Sequence, residues 1–228
     1  MFKETFSTKN VTPWKNTCQF VIVHHTGTKD GTIKGNINQL TVWPVSCHYI
    51  IDTNGDIYKI GKDEQILWHA WVSSWKAMKG MNNYSIGIEM IWPTDTIPTG
   101  FTQAQRDSLG KLLNKLMKEH GILLKNILRH AHIAPWRKTD IAPSFYNGSN
   151  TDTLEKDLVK FQSYIATLLT PLIPTLMEDN TTQSKFKAIY EKEKSQDYTP
   201  IFSEHDDPTP ATIGDIKYLL EIANIRKK

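Results

Sequence analysis

Eight histidines stand in this chain, at positions 24, 25, 48, 69, 120, 130, 132 and 205. Four of them cluster beside predicted strand ends: the pair His24-His25, and His130 with His132, ten and eight residues before Asp140. Imidazole nitrogens and carboxylate oxygens bind divalent cations. A catalytic zinc site takes three such protein ligands and leaves a fourth position for water or substrate. Two histidines and Asp140 meet that requirement. Adjacent residues on a strand face opposite sides, so only one of His24 and His25 can serve one ion. His130 and His132 share a side if extended, so either or both can contribute. The plainer reading of any single histidine is a buried, hydrogen-bonded ring. No His-Glu-x-x-His helix occurs, which argues against a zincin-type peptidase. A cysteine nucleophile built from Cys47 and His48 is a weaker alternative than a buried strand cysteine.

The elements that must position these groups are visible as pattern. Gln19 to Val23 is short, apolar and β-branched, as a buried strand requires, and delivers His24 and His25 at its carboxyl end. His48–Asp52 and Ile57–Ile60 flank Asn54-Gly55, a hairpin signal. Ser85 to Ile91 alternates, with Ile86, Ile88 and Met90 on one side and Ser85, Gly87 and Glu89 on the other. Leu109, Leu112, Leu113, Leu116 and Met117 recur at helical spacing between a Thr102 cap and a Gly121 stop. Ile127–His130 reads as a strand feeding a loop, and Leu154, Leu158, Phe161, Ile165 and Leu169 as a further helical stripe. This order predicts an α/β fold, a central mixed β-sheet flanked by helices.

Four strings, taken in order, carry a resemblance. Val23-His24-His25-Thr26, Trp68-His69-Ala70, Asn83 to Glu89 and His130 to Asp140 are similar to the type 2 N-acetylmuramoyl-L-alanine amidases. That superfamily includes phage lysozyme-type amidases and animal peptidoglycan-recognition proteins. The likeness spans about residues 17 to 146. It implies a zinc ion (Zn2+) on His24, His130 and Asp140, with His25 and His132 as neighbouring hydrogen-bonding groups. It implies Glu89 as general base and acid, because Cys47 occupies the place where another branch carries tyrosine. It implies Lys138 as a stabiliser of the oxyanion. The competing readings are a structural carboxylate and a solvated loop lysine. His69 and Trp68 are expected at the substrate cleft, packing being the plainer role for Trp68 and Trp71. The implied activity is hydrolysis of the amide between N-acetylmuramic acid and L-alanine, in cell-wall lysis, remodelling or muropeptide recycling. The alternative is a non-catalytic peptidoglycan-binding receptor.

Composition narrows the remainder. The 228 residues suffice for one core and an appendage: a catalytic domain over 1–170 and a helical C-terminal extension over 171–228, of unknown role. A net charge of +3 gives no support to nucleic-acid binding. No stretch reaches membrane-spanning length, so no integral membrane association is expected. The polar run Met1 to Asn10 favours cytoplasmic residence or phage-lysin-type release over secretory export, with localisation otherwise open. The expected partner is peptidoglycan or a muropeptide, taken by a monomer. Whether Cys18 and Cys47 pair is left open.

Overall fold

The computed structural model of the chain describes residues 2–27, 31–92, 100–146 and 148–169. Residues Met1–Leu168 form one compact unit. The extension expected over 171–228 lies outside the described residues.

Short edge strands β1 (Glu4–Thr5) and β2 (Val11–Lys15) precede β3 (Phe20–His25), the run expected to deliver the histidine pair. Helix α1 (Ile33–Val42) follows, then the hairpin β4 (Tyr49–Ile51) and β5 (Ile57–Lys59). At its turn Gly55 has φ 87°, and a Cβ there would sit 2.7 Å from the Ala104 carbonyl oxygen, so conformation and space both demand glycine. Strands β6 (Gln65–Leu67), β7 (Ser74–Trp75) and β8 (Met78–Lys79) lead to β9 (Ser85–Met90). Next come α2 (Gln103–His120), β10 (Ile127–Arg129), the single turn α3 (His130–Ile133) and α4 (Leu154–Leu169).

The main sheet is mixed, in the order β1-β5-β4-β9-β3-β10, with β4 and β5 antiparallel and every other pair parallel. Smaller two-stranded sheets join β2 to β6 and β7 to β8. Strand β3 is buried from Phe20 to His24, as a strand covered on both faces must be. Phe20 and Ile22 pack with Leu128, Ala70, Met81 and Ile133, which sets one face of β3 against the segment after β6 and against α3. Cys47, Ile50, Tyr58, Ile60 and Ile91 close a second cluster with Leu40 of α1.

Helix α2 begins and ends where its chemistry dictates. Thr102 accepts from the Gln105 amide while the Gln105 side chain accepts from the Thr102 amide, a reciprocal capping box, and Gly121 closes the helix with φ 68°. The buried Gln105 amide also donates to the Ile91 carbonyl, tying the helix to the end of β9. Gly110 lies where α2 meets α4; a Cβ there would stand 2.5 Å from the Leu168 carbonyl oxygen. Alanine in a helix interior ordinarily gains up to about 1 kcal/mol over glycine. Here the steric conflict reverses that sign. Gly110→Ala is expected to lower stability by about 1–3 kcal/mol in denaturant unfolding, the scale of an overpacked contact, and a stabilised variant would contradict this close helix approach.

Candidate metal centre

The register of three parallel strands assembles the centre. Within the sheet β3 lies between β9 and β10. His24 pairs with Glu89 of β9, while Val23 pairs with Arg129 of β10, which puts His130 one step further on, beside His24. All three chemical groups therefore sit at the carboxyl edge of the sheet, where open α/β sheets place their ligands.

His24 Nδ1 lies 2.9 Å from His130 Nδ1 and 3.4 Å from Asp140 Oδ2, and His130 Nδ1 is 3.0 Å from the same oxygen. The residues are buried. Metal bonds of roughly 2.0–2.1 Å in a tetrahedral site separate ligand atoms by about 3.3 Å. This triangle has that size. Three lone-pair atoms crowded together in a dry position repel one another unless protons or a cation lie between them. His130 Nε2 is, in addition, buried with no hydrogen-bond partner among the described residues. The donor set thus fits a divalent cation bound by His24, His130 and Asp140. Burial pushes the Asp140 carboxyl up, but the two imidazoles more than offset it and hold it well below the usual range. Burial and the neighbouring His130 lower His24 to about 4.

The loop carrying Asp140 is clamped from below. The Arg129 guanidinium donates to the carbonyls of Thr139 and Ile141, and the Ala131 amide donates to the Asp140 carbonyl. Arg129 is itself held by Asp157 of α4, which also accepts from His132 Nε2 at 2.7 Å and from the Tyr146 hydroxyl at 2.5 Å. The expectation of a shared side for His130 and His132 assumed extended backbone. The segment is instead the helical turn α3, and it swings His132 away from the centre to Asp157. His25, on the opposite side of β3 from His24, stacks edge-on to Trp92 with ring centroids 4.1 Å apart.

Glu89 flanks the triangle. One carboxylate oxygen, Oε2, is buried without a hydrogen-bond partner among the described residues. Desolvation, reinforced by the Asp140 charge and opposed by Lys138, raises its pKa to about 8. Lys138 lies near enough for its positive charge to act on both His24 and Glu89. Cys47 and Cys18 are free and buried. Burial and the nearby Glu89 push the Cys47 thiol well above its ordinary value, and both ring nitrogens of His48 are engaged, by the Gly87 amide and the Gln65 carbonyl. A protonated thiol without a free base is no nucleophile, so the cysteine alternative loses its basis.

His69 was expected to line the cleft. The structure buries its ring behind His24, with Nδ1 3.1 Å from His24 Nε2 and Nε2 3.3 Å from the Ser85 carbonyl oxygen. Trp68 does line a cavity, of about 850 Å³, together with Pro44, Trp71, Val72, Lys79 and Trp136. Its walls include none of His24, His130, Asp140 or Glu89. Trp136, in its wall, lies in the chain between His130 and Asp140, and the next residue, Arg137, donates to the carbonyls of Ala70 and Val72. Trp71 and Trp136 are 63% and 60% exposed, so the cavity presents aromatic surface to a ligand. The sequence reading passed over Trp136, Asp157 and Tyr146. Asp157 falls in the helical stripe of α4, where its burial shows only once the helix is docked.

A set of residues able to hold a cation at the carboxyl edge of a mixed sheet, with a half-buried carboxylate beside it, defines a class of α/β domain. A model of the N-acetylmuramoyl-L-alanine amidase family matches residues 14–143, more than half of the chain, and the chain belongs to that family. It is 39% identical over 101 residues to the 1,6-anhydro-N-acetylmuramyl-L-alanine amidase AmpD of Citrobacter freundii, covering 44% of this chain and 52% of that protein. The chain thus spans about half the length of that curated relative. Among solved structures, a selenomethionine derivative of AmpD matches with a TM-score of 0.51 at 26% identity, over 72% of this chain and 96% of that one. The AmiD amidase of E. coli, solved with anhydro-N-acetylmuramic acid-L-Ala-D-gamma-Glu-L-Lys, shares the fold with a TM-score of 0.51 at 24% identity, over 64% of this chain and 59% of that one. Among the described residues no helix is long and apolar enough to cross a membrane.

Two variants separate the neighbouring histidines. His130→Ala is expected to weaken divalent-cation binding, measured by chelator competition, by more than the roughly 10–100-fold typical of outer-shell partners. His132→Ala is expected to keep a full equivalent of bound ion and to lower the melting temperature. Acid titrates the Asp157 cluster separately. Burial raises the Asp157 carboxyl, and donors from His132, Tyr146 and Arg129 outweigh it, holding the pKa down at about 2. The folded value lies below the ordinary 3.8, so its stabilisation is complete above that pH and disappears as pH falls toward 2. Thermal melts of the wild type between pH 5 and 2 should show this loss, and Asp157→Asn should flatten it.

Proposed function

We propose that this chain is a zinc-dependent amidase that hydrolyses the bond between N-acetylmuramic acid and L-alanine, in peptidoglycan or in muropeptides released from it. The observation that carries the reading is the convergence of His24, His130 and Asp140 beside the partnerless carboxylate oxygen of Glu89, in a chain of the amidase family. A receptor that only binds peptidoglycan would not require this ligand set, nor a buried acid held beside it.

An amide resists hydrolysis because its carbonyl is a poor electrophile, water a poor nucleophile and an amine a poor leaving group. A zinc ion held by His24, His130 and Asp140 supplies Lewis acidity to the water and to the scissile carbonyl. The chain's own residues move the protons. Glu89, raised toward neutrality by its burial and by Asp140, takes a proton from the attacking water onto its carboxylate and returns it to the departing alanine nitrogen. Lys138 presents positive charge where negative charge gathers on the carbonyl oxygen. Trp68 and the aromatic cavity beside it hold the muramoyl peptide against the centre.

Mass spectrometry of products from intact sacculi and from soluble anhydro-muropeptides, with and without chelator, tests the bond and the form of substrate together. Release of free stem peptide that stops on chelation and returns with zinc is the expected outcome; cleavage within the peptide or the glycan would refute it. Glu89→Gln is expected to reduce kcat by about 10²–10⁴, the usual contribution of a general acid–base group, while retaining bound zinc. Undiminished turnover in that variant would remove Glu89 from the reaction.

A further inference from the structure

His24 can offer a cation only one nitrogen, and a path of hydrogen bonds behind it determines which. His69 Nε2 faces two oxygens of Ser85, the carbonyl at 3.3 Å and the hydroxyl at 3.4 Å. A carbonyl only accepts. The hydroxyl's single proton is committed to the Met81 carbonyl at 2.6 Å, so toward His69 it too can only accept. His69 Nε2 must therefore carry a hydrogen and donate. The ring's partners are His24 and these oxygens, none of them anionic, so nothing favours a second proton and Nδ1 is left as a bare acceptor. His24 Nε2, 3.1 Å from that atom, must then be the donor. A neutral His24 that carries its hydrogen on Nε2 has its lone pair on Nδ1, the atom that meets His130 and Asp140.

We infer that His69 is a positioning residue that fixes the tautomer and orientation of His24, through a path running from the Ser85 carbonyl to His69 and on to His24 Nδ1. The inference rests on the proposed metal centre and adds to it a residue that touches neither cation nor substrate. Sterics point the same way. Gly87 lies on β9 two residues before Glu89, and a Cβ built on it would come within 2.4 Å of His69 Cγ and 2.7 Å of His69 Nδ1. The strand leaves a gap in its side-chain row for this ring. The Gly87 amide meanwhile donates to His48 Nδ1, so the backbone beneath the ring is anchored as well. Partners that orient a ligating histidine by accepting from its second ring nitrogen typically contribute 10–100-fold in metal affinity.

Two measurements test this on the full chain. Long-range 15N–1H spectra of the histidine rings in metal-free protein should show His24 and His69 both as Nε2–H tautomers. A hydrogen on His24 Nδ1 would overturn the assignment, whatever the variants do. Zinc affinity is then read by chelator competition. His69→Leu and Gly87→Ala are expected to bind zinc about 10–100-fold more weakly. His69→Gln, whose amide can accept from His24 and donate to Ser85, is expected to recover most of the loss. Unchanged affinity in folded His69→Leu would overturn the role, and so would a Gln variant no better than Leu, because packing alone would explain that pattern. If the wild type binds no zinc, the metal reading fails, while the tautomer spectra still decide the path.

Discussion

Lone pairs that face one another at about 3 Å in a buried position are unstable alone, and the fold is arranged to force that situation at His24, His130 and Asp140. Two of the three come from the ends of neighbouring parallel strands in fixed register, His24 on β3 and His130 just after β10. The third comes from a loop that the sheet does not hold. Most of what is unusual around the centre follows from securing that loop. Arg129 leaves the end of β10, turns under the loop and donates to the carbonyls on either side of Asp140. A buried guanidinium needs a counter-charge, which Asp157 supplies from α4. Asp157 has further acceptor capacity, which His132 and Tyr146 satisfy. Helix α4 is thus coupled to the geometry of the candidate ligands by a continuous polar path.

Glu89 shows the opposite treatment. One of its oxygens is sealed from solvent with no donor among the described residues. A sealed carboxylate oxygen with no donor costs stability. Under the proposed reaction that oxygen is the one that takes up and returns the proton. Asp140 is buried and Glu89 half-buried, and the two are close enough to interact, yet one is driven down by imidazoles and the other up by desolvation and by its neighbour. Divergence of that kind separates a permanent ligand from a group able to take up and return a proton near neutral pH.

How much of this could be read from residues alone varied with the range of the interaction. The strands Phe20–His25 and Ser85–Met90, the hairpin around Gly55 and the capped helix Gln103–His120 all rest on local pattern, and each stands where alternation, Asn-Gly or helical spacing placed it. The opposite facing of His24 and His25 follows from strand geometry and holds. Whether His130 and His132 share a side is open in the sequence, because they do so only if the segment is extended, and a single helical turn has too little sequence to show its period. His69 is assigned to the substrate cleft from the resemblance carried by Trp68-His69-Ala70. Its actual position depends on a missing Cβ at Gly87 and on the oxygens of Ser85, sixteen residues further along the chain than His69, which meet its ring only through the fold. Asp157 and Tyr146 were invisible for the same reason, since their partner Arg129 lies on another element.

The aromatic cavity beside the centre illustrates how local conformation and function can be linked. Trp71 adopts φ 46°, in the left-handed region that bulky side chains rarely enter. The strain is sustained by fixed neighbours: the Ala70 amide donates to the Asn82 side chain, and Arg137 donates to the carbonyls of Ala70 and Val72 on both sides of Trp71. Backbone held in a costly conformation by surrounding hydrogen bonds, with its indole turned out to solvent, is difficult to explain as packing. The donor that holds it, Arg137, belongs to the loop that carries Lys138 and Asp140. The wall of the cavity and the rim of the metal centre are therefore parts of one hydrogen-bonded unit, and a ligand resting on the tryptophans would bear on the same loop that supplies the third ligand.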